Sequence, residues 1–172
     1  GIAVGDAFGA GIEMEDRQWI MENIDFTRYV ATSRGINSGN YTDDTEMSVA
    51  NTRVLLQYSQ PFTPLMFADA YVSEFQNGGR RKGYSRGFQT LLERVHNGAE
   101  LLAALRPDST KNGAAMRAVP FGVLRSVEQV LEVATLQASI THDTPEGRFS
   151  ARAVALMSHA AFYENILHGN TK

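Results

Sequence analysis

The run VEQVLEVATLQAS, Val127–Ser139, sets Val127, Val130, Leu131, Ala134 and Ala138 at steps of three and four. That spacing follows the 3.6-residue turn of an α-helix, so it lays one apolar stripe along one face. Working outward, Phe88, Leu91, Leu92 and Val95 repeat the pattern, as do Phe149, Ala153, Leu156, Met157, Ala160 and Ala161. Shorter stripes come from Met47, Ala50 and Val54 and from Phe67, Ala70 and Tyr71. No stretch alternates with period two long enough to build a sheet, and an all-α domain is expected.

Breakers divide these stripes. Pro61 and Pro64 precede a helix predicted near 64–76, and Gly98 reads as the C-cap of a helix near 86–97. The Gly78-Gly79 pair and the stretch from Gly83 to Gly87 read as a flexible loop, and Pro107 and Pro120 bracket another. There is no repeat or composition shift to mark a linker, so residues 1–172 read as one domain. Both ends look cut. Gly1 to Ala7 reads as the middle of an apolar helix without an N-cap, and the last helix runs out at Leu167, His168 and Gly169.

Composition narrows the chemistry. The chain has no cysteine, which removes disulfides, zinc ribbons, iron–sulfur clusters and thiol nucleophiles. Any metal must take oxygen or imidazole ligands. Sixteen Lys and Arg against 19 Asp and Glu leave a net charge of −3, which argues against a general nucleic-acid binder. The tract from Ala151 to Phe162 is broken by Arg152, Ser158 and His159 and falls short of the ~20 apolar residues of a membrane span. We therefore expect a cytoplasmic monomer that binds a small ligand, with neither nucleic acid nor membrane as partner.

Three segments could carry chemistry. In Tyr41-Thr42-Asp43-Asp44-Thr45-Glu46-Met47, adjacent carboxylates flanked by hydroxyls enter a helix and offer hard oxygen ligands to Mg²⁺ or Mn²⁺. Equally, Asp43 or Asp44 can cap that helix. One carboxylate caps; two side by side repel, and a cation relieves the repulsion most simply. In Gly5-Asp6-Ala7-Phe8-Gly9, followed by Glu13, the two glycines leave one helix face bare to a ligand or a crossing helix. In Ser109-Thr110-Lys111-Asn112-Gly113-Ala114-Ala115-Met116-Arg117, a polar loop opens a helix whose free N–H groups suit phosphate, although Asn-Gly is also a common turn. His142 could contact a ribose or phosphate, or act only as a structural hydrogen-bonder. His96, His159 and His168 sit at ordinary helical positions, and Arg80, Arg81 and Lys82 read as a solvated loop that could also attract a phosphate-bearing ligand. Trp19 and Tyr84 could stack on a base but are better read as packing. The Asp-Asp-x-x-Asp motif of terpenoid synthases fails at Met47, and the His-Asp metal phosphohydrolases would need a further Asp after Asp143.

Taken in order, these segments, with Pro120 and Thr141-His142, resemble the ADP-ribosylglycohydrolase family over nearly the whole chain. Lys82-Gly83-Tyr84-Ser85-Arg86-Gly87-Phe88 is similar to its bacterial members. The resemblance implies a compact orthogonal helical bundle around a cleft with two Mg²⁺ or Mn²⁺ ions. It also implies hydrolysis of the N- or O-glycosidic bond between ADP-ribose and a protein or small molecule. By matching position, Thr42, Asp43 and Asp44 would be metal ligands, and Glu13 an acidic group near the ribose acting with Asp43 and Asp44 in catalysis. Ser109, Asn112, Gly113 and Met116 would bind substrate, with His142 a pocket residue. Lys111 stands where the family usually has glycine. The family's C-terminal Asp-x-Asp-Thr element has no counterpart after Thr141, so this chain is expected to hold one wall of the site, to bind metal weakly and to hydrolyse little by itself. The alternative is a catalytically inactive relative that binds ADP-ribose or is purely structural.

Overall fold

The structure, a computed structural model, describes residues 1–25, 27–31 and 35–164. Among them there is no strand; the chain is all-α. In chain order the helices are α1 (Ile2–Gly9), α2 (Arg17–Asn23), α3 (Asp43–Gln57), α4 (Pro64–Asn77), α5 (Arg86–Arg94), α6 (Gly98–Ala104), α7 (Gly113–Met116), α8 (Val127–Ser139) and α9 (Pro145–Tyr163), with a 3₁₀ segment at Val119–Val123. No helix among the described residues is long and apolar enough to cross a membrane.

The packing forms two linked layers. α3 lies against α4, which in turn packs on α6, while α8 and α9 pair and α9 also covers α7 and the 3₁₀ segment. Met47, Ala50 and Val54 of α3, Phe67, Tyr71 and Phe75 of α4, Phe121, and Val130 and Ala134 of α8 share one buried core. Phe67 and Phe121 meet edge-on with ring centroids 5.8 Å apart, joining the two layers.

Caps explain most helix starts. Asp16, Thr63, Asn97, Ser126 and Thr144 each accept a hydrogen bond from the backbone N–H three residues on, beginning α2, α4, α6, α8 and α9. Pro64 and Pro145 sit at the first turn of their helices, where a missing N–H costs nothing.

Several local expectations are corrected. Gly98 does not end a helix: α5 stops at Arg94, and Gly98 opens α6, its N–H donating to Asp69 Oδ1 at 2.6 Å. A Cβ there would collide with the Asp69 backbone, so glycine is required by close helix approach, not by a C-cap. Accordingly His96 lies in the α5–α6 turn. The loop ends at Ser85, because Gly87 is already helical, and Pro120 sits inside the 3₁₀ segment. Val127 and, on α9, Phe149 and Met157 are exposed. α9 instead buries Gly147, Ala151, Ala155 and His159 at steps of four, a line of small residues but for the histidine, because α8 and the 3₁₀ segment press close to it. His159 is thus a buried residue, its Nδ1 3.0 Å from the carbonyl of Gly122. Gly5 and Gly9 face open space among the described residues, and the close approach falls at Gly11 against Val30. Leu167, His168 and Gly169 lie outside the described residues.

Candidate functional site

The start of α3 is organised from a distance. Its N-cap residue, Thr42, makes no capping bond of its own. Asp6, brought in by α1, takes that role: it accepts the backbone N–H groups of Thr42 at 2.8 Å and Thr45 at 3.1 Å. It also accepts their hydroxyls at 2.7 and 2.6 Å. Helix capping therefore falls to Asp6, and Asp43 and Asp44 are released from it.

Both released carboxylates line a cleft of about 540 Å³, within the range of small-molecule sites. Asp43 is only 9% exposed, and burial, then the charges of Asp44, Glu13 and Asp6, push its carboxyl up to about 7. Asp44 is raised as well, by burial first and then by Asp6 and Glu13. Gly83, at φ +128°, closes one side of this pair; a Cβ on it would run into Asp43 Oδ1 and stand 2.8 Å from Thr42 Cβ. Two adjacent, partly desolvated carboxylates whose ionised forms are disfavoured make an all-oxygen donor set that fits a hard divalent cation. Among the described residues no three His, Asp or Glu side chains gather as a full cage.

The far wall comes from the loop before α7 and the α8–α9 turn. Asp108 and His142 pair as an isolated antiparallel bridge, and the Asp143 N–H donates to the Pro107 carbonyl at 2.6 Å. This stitch sets Ser109, Asn112 and Gly113 beside His142 on the cleft wall. A Cβ on Gly113 would lie 2.8 Å from His142 Cε1, so the ring rests directly on the glycine. Phe88, Leu91 and Leu105 supply an apolar floor, and Met116 borders it.

Behind this wall lies a buried polar network. Arg117, 2% exposed, donates from Nε to Gln137 Oε1 at 2.7 Å and from Nη2 to Thr141 Oγ1 at 2.6 Å. Its guanidinium stands 4.9 Å from the centre of the Tyr71 ring. Asn51 ties the network together, donating to the Arg117 carbonyl at 2.8 Å and accepting from Tyr71 Oη at 2.9 Å. Burial, then the charge of Arg117, pushes His142 down to about 4, so its imidazole is neutral.

One cleft therefore collects Glu13, Asp43, Asp44, Ser109, Asn112, Gly113, Met116 and His142, drawn from four separated segments. Thr42 lies behind the cleft rather than on it, buried, with its hydroxyl proton directed to Asp6. Trp19 is not on the cleft. Tyr84 lines it but is also buried against Phe75, its hydroxyl donating to Glu46 at 2.6 Å. Reading the sequence did not assign Asp6, Gly83, Arg117 or Thr141 a role. Each sits inside or next to a quoted motif, which was the available signal, but what each does depends on a partner elsewhere in the chain.

A family model described as ADP-ribosylglycohydrolase matches residues 1–170. A protein of Archaeoglobus fulgidus, itself named only as uncharacterized, is 33% identical over 165 residues, covering 91% of this chain and 52% of the relative. The chain spans about half the length of that relative.

Proposed function

The chain belongs to the ADP-ribosylglycohydrolase family, and from that premise we propose that its cleft binds the ADP-ribosyl group of a modified protein or small molecule and takes part in hydrolysing the glycosidic bond that attaches it. The observation that carries this reading is the release of Asp43 and Asp44 from helix capping by Asp6, which leaves two raised carboxylates facing a cleft of ligand size.

Asp43 and Asp44, with Thr42 behind them, would hold one or both of two Mg²⁺ or Mn²⁺ ions. Such an ion polarises ligand oxygens and lowers the pKa of a bound water. Around it, Glu13 contributes a further acidic oxygen at the cleft mouth, suited to orienting ribose hydroxyls or a water. Ser109, Asn112 and Gly113 flank the position of the diphosphate, and the apolar floor of Phe88, Leu91 and Leu105 excludes water from one side. Fixing the diphosphate at the far wall lets remote binding energy align the bond to be broken beside the carboxylates. The protein on this reading is a cytoplasmic monomer acting without nucleic acid or membrane.

Calorimetric titration with ADP-ribose, with Mg²⁺ and with chelator, tests this reading. We expect binding that tightens with Mg²⁺, loss of that tightening in Asp44→Ala, and Mg²⁺-dependent release of ADP-ribose from modified substrate by the full gene product. Equal binding with and without chelator, and no release, would leave only an ADP-ribose binder; no binding in either condition would overturn the reading altogether.

A further inference from the structure

Thr141 is the hinge between a buried cation and a cleft histidine. Its Oγ1 lies 2.6 Å from Arg117 Nη2 and 2.6 Å from His142 Nδ1. A guanidinium only donates, so the first contact uses a lone pair of the hydroxyl. The second contact could run either way. If His142 Nδ1 carried the hydrogen, Thr141 would accept twice and its own proton, on a residue 7% exposed, would be left without an acceptor in the bonds this hydroxyl makes. If Thr141 donates to Nδ1, every group is used. That direction fixes the neutral ring with its hydrogen on Nε2.

The rest of the network holds this choice in place. Arg117 cannot turn away, because Gln137 receives its Nε at 2.7 Å and, through the backbone carbonyl, its Nη2 at 3.3 Å. Gln137 is oriented in turn by donating to the Ala114 carbonyl at 2.9 Å. The positive charge of Arg117 and the burial of the ring both disfavour a second proton on His142. On the other edge, Gly113 leaves room for Cε1 and Nε2 where any side chain would intrude.

We propose that Arg117 and Thr141 are positioning residues that lock His142 in its Nε2–H tautomer, so that the far wall of the cleft offers a hydrogen-bond donor to an acceptor oxygen of the ligand, a phosphate or hydroxyl oxygen. The tautomer stands on this chain's own geometry; the ligand being ADP-ribose rests on the function proposed above.

Long-range proton–nitrogen correlation spectra of the full chain labelled with ¹⁵N-histidine read the tautomer directly, with His142→Gln assigning the signal. At neutral pH we expect Nδ1 unprotonated and Nε2 protonated in the wild type. Thr141→Val should give a mixture of tautomers and bind ADP-ribose about tenfold more weakly, and Thr141→Ser should restore both. A wild-type spectrum with hydrogen on Nδ1, or an unaltered tautomer in a folded Thr141→Val, would overturn the proposal. The expected tautomer together with no affinity for ADP-ribose would uphold the relay and remove the functional reading instead.

Discussion

Asp6 Oδ2 accepts both the backbone N–H and the hydroxyl of Thr45, at 3.1 and 2.6 Å, across 39 residues of sequence. Through this contact α1 caps the start of a different helix, and the contact decides what the neighbouring acids are free to do. A capping carboxylate is satisfied by the N–H groups of the turn ahead of it; Asp43 and Asp44, one and two positions into α3, accept only their own backbone N–H groups and, at Asp44, the Thr42 hydroxyl at 3.4 Å, and both line the cleft.

Asp6→Ala should therefore unfold more easily than the wild type, by on the order of 2–3 kcal/mol, because a cap and two hydroxyl partners are lost together. Asp44→Ala, in the same helix turn, should cost far less. Urea unfolding of the two variants measures the contrast. Equal losses would return the cap to Asp44.

The buried face of α9 gives a second contrast. Ala155 is fully buried while Phe149 is 74% exposed. Ala155→Leu should destabilise by about 1–3 kcal/mol through overpacking, and Phe149→Gln should change stability by less than ~0.5 kcal/mol. Thermal unfolding checks both. The reverse order would put the large apolar residues back on the packed side.

These two cases show what was legible in the sequence and what was not. α4 and α8 announce themselves, since Pro64 marks the start of α4, and Phe67 with Tyr71, or Val130 with Ala134, marks the buried face. α9 misleads in part because a helix pressed closely by neighbours buries its smallest residues: Leu156 of the expected stripe packs on the core, but Phe149 and Met157 face outward. Gly98 misleads similarly, its role set by Asp69 on another helix. In the site, the motif residues could be singled out one by one. Their division of labour could not, because Asp6 reaches Thr45 and Arg117 reaches Thr141 only once the helices have packed.

Gly83 should tolerate no side chain. Its positive φ disfavours an L residue, and a Cβ would displace Asp43. We expect Gly83→Ala to lose about 1–3 kcal/mol of stability and, at a temperature where it is still folded, to bind Mg²⁺ at least tenfold more weakly than the wild type. Calorimetry at low temperature separates the two effects. Unchanged Mg²⁺ affinity in the folded variant would detach Gly83 from the carboxylate pair.

The carboxylate pair also sets a pH dependence. The Asp43 carboxyl stands at about 7 in the folded chain against 3.8 in the unfolded one. Between those values the folded state holds a proton that the unfolded state has released, so stability is full below about pH 4 and falls as pH rises toward 7. Asp44 and Glu46, raised mainly by burial, add to that slope. His142, pushed down to about 4, opposes it in acid, because its unfolded form takes up a proton near 6.5. The informative comparison is therefore wild type against Asp43→Asn at each pH in chelator. We expect the variant to be the more stable at pH 7.5, by a few kcal/mol at most, and the gap to narrow toward pH 4.5. Saturating Mg²⁺ should close it at pH 7.5 from the other side, by stabilising the ionised wild type alone. Parallel urea midpoints for the two proteins across this range would show that Asp43 carries no burden of charge in the folded chain, and the argument for a cation beside it would lose its electrostatic basis.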